Sequence, residues 1–281
     1  MKRKLFAVLF LPLLVSACSG VLHGSGARRG SEYFAGHMLK NVTRLTDTTG
    51  REIILVPMIH IASEEQYARV RDYLDRLKAD GFVTFFESLF AAPFPIDTLG
   101  ELSYAEVIAL KERTLLTGED SLRVDMLWRK CRRILGTDIR SDFRNKREQR
   151  GGVIQSAELL GLTTERDIWV DYPLQDLVRL YEKRYGPVPL TAPDFAIALD
   201  DPDYELPEEN EKPDTYHFLQ GDRNDYLLRR LMRSSHPKIA VVYGAAHTHR
   251  LKIDLSSSHG FTVDRKYRAG TAGSGSDSGK K

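Results

Sequence analysis

The sequence has few of the residues that would place it at once in a special class of protein. Two cysteines among 281 residues, Cys18 and Cys131, are too few for a disulfide framework. No charge predominates: 41 Lys and Arg face 39 Asp and Glu, and three of the basic residues are Lys2, Arg3 and Lys4. Without those three, 38 basic residues face 39 acidic ones, so nucleic-acid binding has no electrostatic support. With 42% hydrophobic and 28% charged residues, the composition is that of an ordinary globular protein.

The chain also lacks an apolar run long enough to cross a bilayer as a helix, which takes about 20 residues. Its N-terminal apolar run, residues 5–15, has 11 residues, follows a basic start and precedes Ser16-Ala17-Cys18, which is the order of a secretory signal. The ending LVSAC resembles the bacterial lipobox, in which the cysteine is lipidated and the residues before it are removed.

The lipobox resemblance implies a signal peptide over residues 1–17 and a lipid, such as palmitate, on Cys18. It also implies a protein anchored in the bacterial cell envelope, where Ser19 favours the outer membrane with the domain facing the periplasm. The alternatives are an uncleaved short anchor and a coincidental cysteine. If Cys18 carries a lipid, Cys131 has no disulfide partner, and its place in a helical pattern predicts a packing role.

Composition divides the rest of the chain into three parts. Residues 18–32 are rich in Gly, Ser and Arg, which predicts a flexible tether. Residues 269–281 are of low complexity, which predicts a disordered tail. Between them, residues 33–268 are expected to form a single domain, with a largely helical and loop insertion over about 95–215.

The start of this domain has the pattern of a β-α-β unit. The apolar run 51–61 predicts a strand, Ser63 and the glutamine three residues later predict a capping box, and the run 82–86 predicts a strand ending in Glu87. A strand, a helix and a strand of this length imply parallel pairing. We therefore expect His60 and Glu87 at the carboxyl edge of adjacent strands.

The second half of the domain contains another predicted strand whose carboxyl end would lie at the same edge. The apolar run 239–243 predicts a buried strand that stops at Gly244, and His247 follows three residues later, where open α/β sheets place ligands. Asp222 is a candidate N-cap for the helix that comes before this strand. These patterns predict an α/β fold with a mostly parallel or mixed central sheet flanked by helices and a largely helical middle insertion.

Within the middle insertion, the pattern predicts a long helix over 169–185. The acidic stretch 200–211 is interpreted as a solvated loop. Whether that loop gates a site stays open.

The same argument places two imidazoles and a carboxylate at one edge of the sheet, because His60, Glu87 and His247 each follow a predicted core strand. This set is common for first-row metals, and an open position for water suits hydrolysis. Direct acid–base catalysis by histidine and glutamate is the alternative without metal.

The strand before His60, the segments SEEQY and GFVTFFES, and the ending VVYGAAH together resemble the TraB/GumN/Tiki superfamily. That group has two Gly-x-x-His motifs, a Glu after the second strand and an Arg-Asn pair in a late helix. Carried over, these imply His60, Glu87 and His247 as metal ligands. They also imply Glu87, Arg223 and Asn224 as catalytic residues. Pro57 stands where the family usually has glycine, so any hydrogen bond from that amide is absent.

The resemblance implies a metal-dependent peptidase-like hydrolase with Mn, Co or Zn, acting on a peptide or small molecule. The alternatives are a non-catalytic lipoprotein that binds haem or iron, and a degenerate family member whose site only stabilises the fold. For Arg223, the expected roles are to clamp a substrate carboxylate or phosphate or to stabilise a developing oxyanion. The alternative is a structural ion pair, with Glu87 as the candidate partner, which would lower the pKa of that carboxyl group. The oligomeric state stays open.

Overall fold

The computed structural model of the chain describes residues 38–88, 101–114, 118–135, 152–196 and 217–269. The predicted signal peptide, Cys18, the tether, the acidic loop 200–211 and nearly all of the tail lie outside these residues. Within the described ranges, no helix combines the length and apolarity that a membrane span requires.

The described residues form nine strands and seven α-helices. In chain order the strands are β1 (Thr43–Thr46), β2 (Glu52–Met58), β3 (Ile61–Ala62), β4 (Val83–Phe86), β5 (Leu102–Ser103), β6 (Val153–Ile154), β7 (Asp167–Trp169), β8 (Lys238–Gly244) and β9 (Thr262–Asp264). The helices are α1 (Glu64–Ala79), α2 (Tyr104–Thr114), α3 (Gly118–Leu135), α4 (Leu174–Tyr185), α5 (Ala192–Ala196), α6 (Arg223–Arg233) and α7 (Ala245–Ser258). A 3₁₀ turn, Met38–Asn41, precedes β1, and a π-helical segment, His217–Asp222, leads into α6.

Seven strands form one mixed sheet in the order β5-β7-β4-β8-β2-β1-β9. The four central strands, from β7 to β2, are parallel, and the outer pairs are antiparallel. Helix α1 packs its apolar face on one side of the sheet, while α6 and α7 pack on the other. The predicted α/β fold with a mixed central sheet flanked by helices is confirmed.

Helix α1 begins and ends where the sequence indicates. Ser63 accepts a hydrogen bond from the backbone N–H of Gln66, whose side chain bonds back to the N–H of Ser63, so the predicted capping box is confirmed. Gly81 has φ +90°, the left-handed conformation that favours glycine, and turns the chain from α1 into β4. The crossover thus places β2 and β4 in parallel.

The expectation that these two strands are adjacent is wrong, because β8 lies between them. Its buried run pairs in parallel with β2 on one side and with β4 on the other, where Ala240 faces both Ile54 and Thr84. A strand whose residues are buried on both faces is typical of the centre of a parallel sheet. The carboxyl end of β8, and with it His247, therefore lies between those of β2 and β4.

The middle of the chain is mostly helical, but it also supplies strands to the main sheet. The helix predicted over 169–185 begins only at Leu174, because Pro173 starts it, and Trp169 belongs to β7. Strand β7 pairs with β4 and so extends the parallel core. Cys131 is buried between α3 and α4, which confirms its predicted packing role.

Two further local expectations differ from the structure. Asp222 makes no side-chain cap for α6, because its carboxylate instead pairs with Arg184 at 2.8 Å. Pro57 lies inside β2 opposite Tyr243 of β8. Strand β1 no longer pairs with β2 beyond Leu55, so at Pro57 the strand is locally an edge, where proline is tolerated.

Candidate functional site

Three segments that follow central strands place polar side chains at the carboxyl edge of the sheet. Glu87 directly follows β4, and its backbone N–H donates to the carbonyl of Val242 in β8 at 3.1 Å. Gly244 ends β8, so His247 lies in the first turn of α7. His60 comes two residues after β2. The edge thus holds all three of the histidine and glutamate residues that the sequence singles out.

Arg223 joins this group from the first residue of α6 and is 1% exposed. Its Nη2 donates to Oε1 of Glu87 at 2.6 Å and to Oδ2 of Asp171 at 2.7 Å, while Nε donates to Oδ1 of Asp171 at 2.9 Å. We call Arg223, Glu87 and Asp171 the arginine cluster. Because two of its three nitrogens are held by carboxylates, the guanidinium plane is fixed.

The sequence interpretation missed Asp171. This residue is fully buried and lies two positions after the end of β7. The N–H of the intervening Val170 donates to the carbonyl of Phe86 at 3.1 Å. The signal was the same one that identifies Glu87, namely an apolar run, 168–170, that ends in a carboxylate. It was hidden because β7 is only three residues long and precedes a strongly helical pattern.

His247 is fully buried and held in one orientation. Its Nδ1 lies 2.7 Å from Oδ1 of Asn224, which can only accept, so Nδ1 carries the proton. In the neutral ring, Nε2 is then the atom with the lone pair. It lies 3.4 Å from Nη1 of Arg223 and 4.0 Å from Oε1 of Glu87. The ring of Tyr243 meets the imidazole edge-on at 5.5 Å.

The carboxylate of Glu87 is anionic over the whole physiological range. Burial alone would raise its pKa, but the positive charge of Arg223 is the largest of the effects that outweigh burial and lower the pKa to about 2. Its second oxygen, Oε2, accepts the backbone N–H of Gly244 at 2.6 Å. The ion pair with Arg223 that the sequence left as one alternative is therefore present.

Burial raises the pKa of a carboxyl group but lowers the pKa of an imidazole such as that of His247. It disfavours the charged ring, and the charge of Arg223 adds to that effect, so the pKa of His247 falls from 6.5 to about 3. Burial likewise raises the pKa of Asp171, against the attraction of Arg223. For Arg223, the two carboxylates outweigh burial and raise the pKa well above its usual value.

Two hydrogen bonds hold the backbone around His60. The hydroxyl group of Tyr67 in α1 donates to the carbonyl of Ile59 at 3.0 Å, and the N–H of Gln155 donates to the carbonyl of His60 at 2.8 Å. Both ring nitrogens of His60 are buried. Electrostatic interaction with His60 is among the causes that lower the pKa values of Glu87 and His247.

Two of these donor atoms, Nε2 of His247 and Oε1 of Glu87, lie close to the spacing that ligands of one metal ion require. Across the described ranges, no group of three or more His, Cys, Asp or Glu side chains is arranged as a ready metal site. Nε2 of His247 and Oε1 of Glu87 lie 4.0 Å apart. Tetrahedral ligands at about 2.1 Å from an ion lie about 3.4 Å apart, so this pair must close by about 0.6 Å. Each carboxylate oxygen retains a free lone pair for such a bond.

Lowering the pH is expected to destabilise the protein through His247. Below pH 6.5 the unfolded chain binds a proton on this ring, whereas the folded chain does not until about pH 3. Stability therefore falls with decreasing pH across this window, by up to about 1.4 kcal/mol per pH unit. Urea unfolding between about pH 7 and about pH 4 should give a smaller pH slope for His247→Asn than for the wild type.

The exposed His249, on the same helix, provides the control for this experiment. His249→Asn should keep the wild-type slope, because this variant leaves the buried ring of His247 in place. Equal slopes for the wild type and His247→Asn would contradict the buried neutral state of His247.

Comparison with known proteins adds no relative to this description. No protein-family model, no curated protein and no solved structure matches the chain. The geometry of the carboxyl edge therefore has to support a function by itself.

Proposed function

We propose that this chain is a metal-dependent hydrolase of the TraB/GumN/Tiki superfamily that acts on peptide bonds. The observation that carries the proposal is the orientation of His247. Asn224 holds its Nδ1–H, which turns the Nε2 lone pair toward Glu87 and Arg223. A ligating histidine typically donates its other N–H to such a partner, which fixes its tautomer.

The titration behaviour of the two residues supports ligand roles over direct acid–base roles. An efficient proton shuttle has a pKa near the working pH, whereas the pKa of Glu87 is about 2 and that of His247 about 3. A permanent carboxylate and a permanently neutral imidazole are the protonation states that a metal requires. Together with His60, they would hold one Mn, Co or Zn ion.

The ion would acidify a water molecule and polarise the substrate carbonyl group. Arg223 supplies the charge that stabilises the developing oxyanion. Its Nε and Nη2 are occupied by Asp171 and Glu87, and one N–H of Nη1 faces Nε2 of His247 at 3.4 Å, so the second N–H of Nη1 remains to donate. Preorganised donors of this kind typically contribute about 10²–10³ in kcat.

The proposal is tested by chelation and metal restoration on the purified chain. A fluorogenic peptide library should be cleaved after addition of Mn²⁺, Co²⁺ or Zn²⁺, and cleavage should stop with a chelator and return with the metal. Absence of cleavage and of bound metal at micromolar concentrations would refute a hydrolase.

That outcome would favour the second candidate, a family member whose site only stabilises the fold. The observation in its favour is that Arg223 is buried between two carboxylates, where it already neutralises part of their charge. In that case Arg223 replaces the metal as the cation of the site. Absorbance of added haem would distinguish the haem-binding alternative from both.

We further propose that the protein is held on the membrane of the cell envelope through a lipid on Cys18. Cys18→Ser should leave the precursor without a lipid and shift the protein from the membrane fraction to the soluble fraction, as followed by fractionation and immunoblotting. Cys131→Ser, which removes the buried thiol, should remain with the membranes. Unchanged membrane association of Cys18→Ser would argue against a lipid anchor.

A further inference from the structure

Gln155 is a cross-strand neighbour of His60. Strand β3 pairs antiparallel with β6, with Ile61 opposite Ile154 and Ala62 opposite Val153. One step further along this register, His60 lies opposite Gln155, and the N–H of Gln155 donates to the carbonyl of His60 at 2.8 Å. Directly opposed residues of an antiparallel pair project their side chains from the same face. The side chain of Gln155 therefore lies on the face that carries the His60 ring.

This side chain has a polar atom that the fold does not use. Gln155 is only 5% exposed, and in the described part of the chain its Oε1 is buried without a hydrogen-bond partner. A buried unsatisfied acceptor is costly, and natural proteins rarely retain one without a reason. Residues that cost stability in this way are typical of functional sites.

We propose that Gln155 is a substrate-binding residue of this site, and that its Oε1 accepts a hydrogen bond from an N–H of a peptide substrate. The inference rests on the proposed function, because it names a residue that would hold the peptide substrate of that same site. A peptide bond brings an N–H donor next to the carbonyl group that is attacked. A buried carbonyl oxygen beside His60 meets that donor, whereas the carboxylates of the arginine cluster are already engaged by Arg223.

The test is the variant Gln155→Met, since methionine has a similar length and shape and no strong acceptor. Its melting temperature should equal or exceed that of the wild type, because no hydrogen bond is lost. With the best-cleaved fluorogenic peptide of the library, its KM should rise at least about 10-fold, with kcat within about twofold. The metal content per chain should stay unchanged. A purely structural glutamine would not produce this split between KM and kcat.

Thr84 provides a matched control. It is 1% exposed, its Oγ1 also lacks a partner among the described residues, and it lies in β4 away from the edge. Thr84→Val should leave both stability and kinetics at or near wild-type values.

Three outcomes would overturn the inference. An unchanged KM in Gln155→Met, with the wild type active, refutes it alone. So does a melting temperature lowered by more than about 4 °C, which would mark a structural role. A wild type that neither binds metal nor cleaves any peptide refutes the proposed function and this inference together.

Discussion

Arg223→Met is expected to lower the free energy of unfolding by roughly 3–5 kcal/mol, the usual cost of removing one partner from a buried ion pair. In a protein of this size, the melting temperature should fall by roughly 10 °C. The reason is that Glu87 and Asp171, both buried, lose the only guanidinium that contacts them in the described structure. Chemical denaturation and calorimetry measure the two quantities.

Two further variants make this prediction specific. Arg229 lies on the same helix but is exposed, so Arg229→Met should change stability by less than about 0.5 kcal/mol. Adding Glu87→Gln and Asp171→Asn to Arg223→Met removes the uncompensated charges and should recover part of the loss. A loss below about 1 kcal/mol in Arg223→Met would mean that the carboxylates do not depend on this arginine.

His247→Asn is expected to abolish metal binding and to lower kcat/KM by at least about 100-fold. Loss of an outer-sphere partner of a metal ligand already costs up to about 100-fold, and loss of the ligand itself should cost at least as much. The amide of asparagine can still donate to Oδ1 of Asn224 in place of Nδ1–H, so the local hydrogen bond is retained. The Nε2 lone pair is lost, together with the edge-on contact between the imidazole and Tyr243. Metal content by mass spectrometry and peptide cleavage measure the effect on identical preparations.

His249→Asn again serves as the control, because His249 is exposed two residues further along the same helix. It should bind metal and cleave peptide like the wild type. If His247→Asn retained full metal content and activity, His247 would not be a ligand.

Much of the fold could be predicted because its signals are local. The capping box at Ser63 and the apolar runs that became β2, β4 and β8 each lie within a few residues of sequence. Strand order cannot be read locally, because β8 pairs with residues 186 positions away in β2 and 156 positions away in β4. Period and propensity carry no information on such contacts.

The site divides in the same way. Glu87 and His247 stand out in the sequence because each follows a largely apolar run of five residues, 82–86 and 239–243, and the structure brings Oε1 of Glu87 to 4.0 Å from Nε2 of His247. Asp171 follows a strand of three residues, and Gln155 comes after a strand of two, which is too short to leave a pattern. Their places depend on tertiary pairing with β4 and β3.

The most direct test of the central claim is the position of a bound metal ion. Crystals soaked in Mn²⁺, Co²⁺ or Zn²⁺ should give one strong anomalous-difference peak at about 2.1 Å from Nε2 of His247, with Glu87 and His60 as the other protein ligands. Arg223 should keep its contacts with Asp171 and present Nη1 toward the ion's open side. A site without a peak, in which the guanidinium remains between Glu87 and His247, would contradict the account.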